Sequence, residues 1–146
     1  MSQGNLSFSF LVDQSPREVF DAVANVRGWW SGEIEGATDA LGAEFVYSYK
    51  DFHRSTQRIT EWVPEKRIVW HVVRSYLGFV ADTHEWDGTD IVFDIERKGN
   101  QTELRFTHLG LVPAVACYGK CSDAWGFYIT DSLRKLITSG KGEPNV

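Results

Sequence analysis

The chain has 146 residues, 42% of them hydrophobic and 24% charged, enough material for one good hydrophobic core and too little for two. Its 20 acidic residues outnumber its 15 basic ones, giving a net charge of −5 with no basic run, which argues against a nucleic-acid or anionic-membrane partner. No apolar stretch approaches the roughly 18 residues of a membrane span and no signal-peptide pattern precedes the first strand, so a cytoplasmic protein of one domain, residues 1–146, is expected.

Leu6 to Val12 alternates apolar and polar, with Leu6, Phe8, Phe10 and Val12 on one side, as in a half-buried strand. Ser15-Pro16-Arg17-Glu18 then marks a helix start: Ser15 caps, Pro16 suits the first helical position, and Glu18 stands where it completes a capping box. Val19, Phe20, Val23 and Val26 form the buried stripe of this short helix, and Gly28 offers a stop before Trp29-Trp30. Ser31 to Gly42 carries Gly32, Gly36 and Gly42 without a sustained period, a loop with a brief strand at Glu33 to Glu35.

From Ala43 the period falls to two, placing Phe45, Tyr47 and Tyr49 on one face. A turn near Lys50-Asp51 leads to a strand from His53 to Val63, and Pro64-Glu65-Lys66 turns it into another from Arg67 to Arg74. In that strand Ile68, Trp70 and Val72 alternate with Val69, His71 and Val73, apolar on both faces, which predicts a central position in the sheet. Ser75 to Gly88 is a longer connection rich in aromatic and acidic residues. Asp90 to Arg97 and Thr102 to His108 then pair across Lys98-Gly99-Asn100-Gln101, with Ile91, Phe93, Ile95, Leu104 and Phe106 inward and Asp94, Glu96, Glu103 and Arg105 facing water.

The last quarter, Tyr118 to Ser139, reads as one long helix. Tyr118, Ser122, Trp125, Ile129, Leu133 and Leu136 follow at spacings of four, three, four, four and three, flanked by Cys121, Ala124, Tyr128 and Ser132. Nothing else in the chain is long enough to cover the apolar face of the sheet, so this helix must lie across it. Gly126, beside Trp125 in a helix interior, suggests close packing there.

Catalytic chemistry finds little purchase. Asp82-Thr83-His84-Glu85-Trp86-Asp87 gathers three carboxylates and an imidazole, but the spacing matches no metal motif and a solvated loop is the simpler reading. Cys117 and Cys121 sit at i and i+4, poor disulfide geometry, and are expected as buried free thiols. His71 and His108 lie in strands, where satisfied edge or surface imidazoles are expected; with Arg54 they are the groups that an enzyme of this fold would have to turn inward. No phosphate loop, dinucleotide fingerprint or serine elbow appears, and no catalytic residue, metal ligand or cofactor is assigned.

The order strand, helix, Trp-rich loop, five-strand meander and closing helix resembles the helix-grip fold of the START and pollen-allergen-like superfamily, SRPBCC, an α+β architecture in which a curved antiparallel sheet is gripped by a C-terminal helix. Within it the chain resembles the bacterial homologues of the carboxy-terminal domain of the activator of heat-shock-protein ATPase. The resemblance rests on Ser15-Pro16-Arg17-Glu18-Val19-Phe20 with Trp29-Trp30, on Glu61-Trp62-Val63-Pro64-Glu65-Lys66-Arg67-Ile68-Val69-Trp70, and on Ala124-Trp125-Gly126-Phe127-Tyr128 through Ser132-Leu133-Arg134-Lys135-Leu136-Ile137 to Gly140-Lys141-Gly142. These motifs are structural. The superfamily includes lipid carriers, hormone receptors, polyketide cyclases and chaperone partners, so fold does not settle function.

A curved sheet under one helix leaves volume that side chains must fill or concede, and aromatics at 14% are the surplus that would line it. Trp30, Phe45, Tyr47, Tyr49, Trp70, Phe93, Tyr118, Cys121, Trp125 and Ile129 are the expected ligand-binding residues, and the expected partner is an apolar or amphipathic small molecule: a lipid, isoprenoid or aromatic metabolite. The alternatives are a chaperone or other protein partner, which the resemblance implies and an exposed apolar patch would support, and a cyclase- or hydrolase-type enzyme, which would need a titratable group with a shifted pKa in the cavity.

Overall fold

Alternating sequence builds a seven-stranded sheet: β1 (Leu6–Val12), β2 (Glu33–Gly36), β3 (Glu44–Tyr49), β4 (His53–Val63), β5 (Arg67–Leu77), β6 (Asp90–Lys98) and β7 (Gln101–Leu109). The computed structural model describes residues 6–30, 33–50, 53–78, 84, 86–111 and 118–143. All pairings are antiparallel, in the order β1-β7-β6-β5-β4-β3-β2. The meander therefore runs through six strands, one more than expected, because the brief strand at Glu33 pairs fully with β3 and places Ile34 opposite Tyr47. β1 completes the sheet against β7, with Leu6 opposite His108 and Val12 opposite Thr102.

The doubly apolar β5 is the middle strand of the seven, as its pattern requires. It runs past the expected end at Arg74 to Leu77, and a bulge explains why periodicity alone stops short. Thr56 faces Arg74 while Gln57 faces Val72, leaving Val73 as an extra residue. The extra residue flips the parity, so Ser75 and Leu77 return to the inner face already held by Ile68, Trp70 and Val72. A second irregularity between Ile59 and Glu61 adds Thr60 to β4. Bulges raise local twist and bend the strands that carry them, which curves this half of the sheet around its inner face.

The capping box forms as read: the Ser15 hydroxyl accepts from the Glu18 N–H at 3.2 Å, and the Glu18 carboxylate accepts from the Ser15 N–H at 3.0 Å. Helix α1 (Pro16–Ala24) ends before Gly28, and a 3₁₀ turn (Val26–Gly28) carries Val26 into the core and delivers Trp29-Trp30. Arg27 on that turn donates to the carbonyls of Ile34 and Gly36, tying down the edge strand β2.

The C-terminal helix spans residues 118–139 as α2 (Tyr118–Gly126), a π-helical stretch (Phe127–Leu133) and α3 (Arg134–Ser139), closed by Gly140 at φ +83°. Its buried line is Cys121, Trp125, Ile129, Leu133 and Ile137, with Ser132 beside it, whereas Tyr118, Ser122 and Leu136 are only half-buried. At 3.6 residues per turn a strict spacing of four drifts by about 40° each step. The wider π turns absorb that drift and keep the line on the sheet, a correction that an α-helical period cannot foresee. Gly126 makes room for less than expected: a Cβ there would lie 3.5 Å from the Phe8 ring, an ordinary contact.

Ser132 joins three segments. Fully buried, its hydroxyl donates to the Trp29 carbonyl at 2.8 Å and accepts from the Glu143 N–H at 2.9 Å, so helix, Trp-Trp turn and C-terminal tail meet at one oxygen. The tail lies so close that a Cβ on Gly142 would stand 2.9 Å from the Ser132 carbonyl oxygen and overlap that of Gly28. Two stability predictions follow from this geometry. Ser132→Ala strands a buried carbonyl and is expected to cost about 1–3 kcal/mol in a denaturant melt. Gly126→Ala, adding a methyl where space exists in a helix interior, is expected to raise stability by up to about 1 kcal/mol in the same assay.

Candidate functional site

Two aromatic groups frame the inner face. Trp29, Trp30 and Trp70 stack with ring planes within 12° of parallel and centroids 5.7–6.2 Å apart, and Tyr47 lies on Trp30 at 3.9 Å and 9°. Beyond them the C-terminal helix sets Trp125 against Phe106 of β7 at 4.7 Å and against Trp86 at 5.8 Å, the two indoles nearly parallel. The helix thus sits close to the β1–β7 side, and between its first half and strands β3 and β4 a cavity of about 420 Å³ remains.

Trp30, Tyr47, Trp86, Cys121 and Trp125 make the buried lining, and Tyr49, His53 and Tyr128 are half-buried. Lys120 and Ala124 are exposed and form the rim, so the cavity opens to solvent past the start of the helix. A groove of about 520 Å³ on the far side of the sheet is larger, but charged side chains such as Lys66, Asp94, Arg97 and Glu103 line it, the Asp94 carboxylate already paired with Arg67 at 2.6 Å. Apolar lining with a few polar groups marks the first as the ligand-type cavity.

Five expected residues line this cavity: Trp30, Tyr47, Tyr49, Cys121 and Trp125. Phe45, Trp70, Phe93 and Ile129 share the inward parity but are fully buried beneath it, and half-buried Tyr118 is also outside the lining. Inward parity selects a face of the sheet without separating its filled half from its open half, which explains the mixture. Cys121 is buried and forms no disulfide among the described residues, outside which Cys117 lies.

Sequence reading passed over His53, Trp86, Lys120, Ala124 and Tyr128. The sequence places Trp86 in a solvated acidic loop, of which Asp82, Thr83 and Glu85 lie outside the described residues. The local reason for its burial is that Asp87 accepts from the Ser75 N–H and hydroxyl at 2.6 and 2.7 Å, which pins the segment to the end of β5. Helical geometry puts Ala124 and Tyr128 one turn from Cys121 and Trp125, a signal that was present.

Polar atoms in this wall are few and specific. The Trp125 indole N–H donates to His108 Nδ1 at 3.2 Å, and because an indole can only donate, His108 carries its proton on Nε2 and donates to Thr89 Oγ1 at 2.9 Å. Thr89 in turn donates to the Trp86 carbonyl, so one chain of hydrogen bonds orients both indoles. His108 is therefore a satisfied imidazole, as expected, but a fully buried one rather than an edge or surface group. His71 faces outward against Asp90 at 2.8 Å. His53 lies edge-to-face with both Tyr47 and Trp86, and its Nε2, like the Trp86 indole nitrogen, is shut off from solvent with no hydrogen-bond partner among the described residues. No group of metal-binding side chains occurs among the described residues.

Burial lowers the His108 imidazole to about 3, with His53 a secondary cause, and burial lowers His53 to about 3 as well. Both are neutral in the folded protein at ordinary pH, while the unfolded chain takes up their protons near 6.5. Their contribution to stability is thus complete above about 6.5 and is lost as pH falls from there toward 3, at about 1.4 kcal/mol per pH unit for each imidazole. Guanidinium melts between pH 7.5 and 4 are expected to show this decline, and His108→Gln, which cannot titrate, is expected to about halve its slope, with His53 supplying the rest.

The family model described as activator of Hsp90 ATPase homolog 1-like protein matches residues 13–138. No match to a curated protein was found. Among solved structures the chain is similar to the Aha1 dimer from Colwellia psychrerythraea, at 24% identity and a TM-score of 0.75, with 94% of this chain and 98% of that one covered. It is also similar to DynU16, a protein in the dynemicin biosynthetic locus, at 15% identity and a TM-score of 0.69, covering 97% of this chain and 50% of that one. CalU16 from Micromonospora echinospora follows at 14% identity and a TM-score of 0.64, with 91% and 74% covered. At these identities the likeness bears on fold, and the architecture is an α+β helix grip, a curved antiparallel sheet under a C-terminal helix. With the model matched over most of its length, the chain belongs to the family of activator of Hsp90 ATPase homolog 1-like proteins.

Proposed function

We propose that this protein binds a hydrophobic or amphipathic small molecule in the cavity between β3, β4 and the first half of the C-terminal helix. The observation that carries the reading is the cavity itself: about 420 Å³ of space, within the roughly 300–1,000 Å³ usual for ligand pockets, walled largely by aromatic side chains, with the exposed Lys120 and Ala124 at its rim. DynU16, named for a biosynthetic locus, has the same fold and lends support.

A protein-docking reading draws on the family description and on the Aha1 neighbour, and the outer face of the sheet lends it less. That face carries the pairs Arg58–Glu44, Arg67–Asp94 and His71–Asp90, while the exposed apolar residues Leu11, Leu41, Val63, Tyr76 and Leu109 fall on five different strands or turns. A catalytic reading would make His53 its base, and an imidazole lowered to about 3 is a weak one at neutral pH.

An amide-resolved NMR titration with fatty acids, isoprenoids and planar aromatic compounds tests the proposal. Saturable shifts are expected at Trp30, Tyr47, Cys121 and Trp125, and Ala124→Trp, which plugs the rim from an exposed helical position, is expected to abolish them while leaving the melt unchanged. If protein free of copurified ligand responds to no compound, the cavity reading falls and a protein partner becomes the object of search.

A further inference from the structure

We infer that the molecule held in this cavity is a flat aromatic compound bearing a hydrogen-bonding oxygen, rather than an acyl chain; the inference rests on the cavity reading above. Two observations carry it, one from shape and one from unpaired polar atoms.

Among the described residues ten side chains line the cavity, of which seven are rings and none is a branched aliphatic. An acyl chain is matched by methyl and methylene walls, which rotate to follow it, whereas rings offer flat, stiff faces that gain most from another flat partner. Those faces are already ordered. Trp30 lies 9° from parallel with Tyr47, and Trp86 lies 11° from parallel with Trp125. The two pairs meet at Trp30 and Trp125, whose rings are 5.1 Å apart and tilted by 31°. The walls therefore suit a plate of a few fused rings.

The second observation concerns the wall where His53 meets Trp86, their ring centroids 4.6 Å apart. Four buried side-chain polar atoms lack a hydrogen-bond partner among the described residues, and of these His53 Nε2 and Trp86 Nε1 belong to the cavity lining. Such atoms are uncommon in folded proteins, and each one destabilises the fold while it stays unpaired. Both rings border the cavity while their nitrogens are shielded from it, so a ligand pairs with them only once the two rings turn toward it. The indole can only donate and so requires an acceptor; the neutral imidazole takes either role. A phenolic or carbonyl oxygen on the edge of the plate satisfies the indole, and a phenol also offers its proton to the imidazole.

The test titrates the full chain with three probes, 2-naphthol, naphthalene and palmitate, by calorimetry and by following the Trp86 indole N–H resonance. The expected result is saturable binding of 2-naphthol, about tenfold tighter than naphthalene, with the indole resonance moving for 2-naphthol alone and no saturable binding of palmitate. Trp86→Phe, checked for folding by near-ultraviolet circular dichroism, is expected to erase the tenfold preference and keep naphthalene binding. Should that variant fail to fold, the wild-type indole resonance decides. Palmitate binding without either naphthalene compound would overturn the inference and leave the cavity reading standing. Equal affinity for the two aromatic probes, with a stationary indole resonance, would overturn the oxygen requirement. Silence from all three probes would overturn the inference and count against the cavity reading together.

Discussion

The contact on which the rest depends is the stack of Trp29, Trp30, Trp70 and Tyr47. Its members come from three places, the turn after α1, the central strand β5 and strand β3, and their near-parallel planes lock those places into one rigid slab. Aromatic pairs of this kind contribute about 0.5–1.5 kcal/mol each beyond the area they bury. The slab also sets where the helix can go, because Ser132 grips the Trp29 carbonyl from the π-helical stretch. Stiff rings stacked on one side of a curved sheet cannot spread to fill the other. The cavity is the volume that this stiffness leaves behind.

Polar groups are treated oppositely on the two faces of the sheet. Outside, charges meet in exposed pairs such as Arg58–Glu44, each worth little against screening by water. Inside, the relay from Trp125 through His108 and Thr89 to the Trp86 carbonyl uses neutral groups only, so it orients two indoles without burying a charge. The relay leaves the Trp86 indole nitrogen and His53 Nε2 unserved. Of the four buried side-chain polar atoms that lack a partner among the described residues, these are the two that belong to the cavity lining.

Most of the fold was legible because it is written in short-range chemistry. The capping box at Ser15, the period-two strands and the doubly apolar centre of β5 each follow from neighbours in sequence, and the structure places them as read. The reading failed where a single residue changes the phase. Val73 bulges, flips the parity of β5 and carries it to Leu77, and the π-helical stretch moves the buried line of the helix from Ser122 and Leu136 to Cys121 and Ile137. The cavity was legible only as a face. Phe45, Trp70 and Phe93 point the same way as Tyr47 but end beneath the slab, and Trp86 reaches the lining from a segment whose acidic neighbours disguise it.

The π-helical stretch has a consequence for how this chain can vary through evolution. Residues 127–133 hold two anchored ends in phase: Trp125 on the cavity, and Ile137 in the core beside α1. Deleting one residue there would restore a plain α-helix, the more comfortable backbone, with both ends still nearly in phase, because the wider π turns spend about one residue more than α turns on the same rotation. The π-helical stretch is therefore the place where the length of this helix can change by one residue at least cost to the Trp125 wall and to the seat of Ile137.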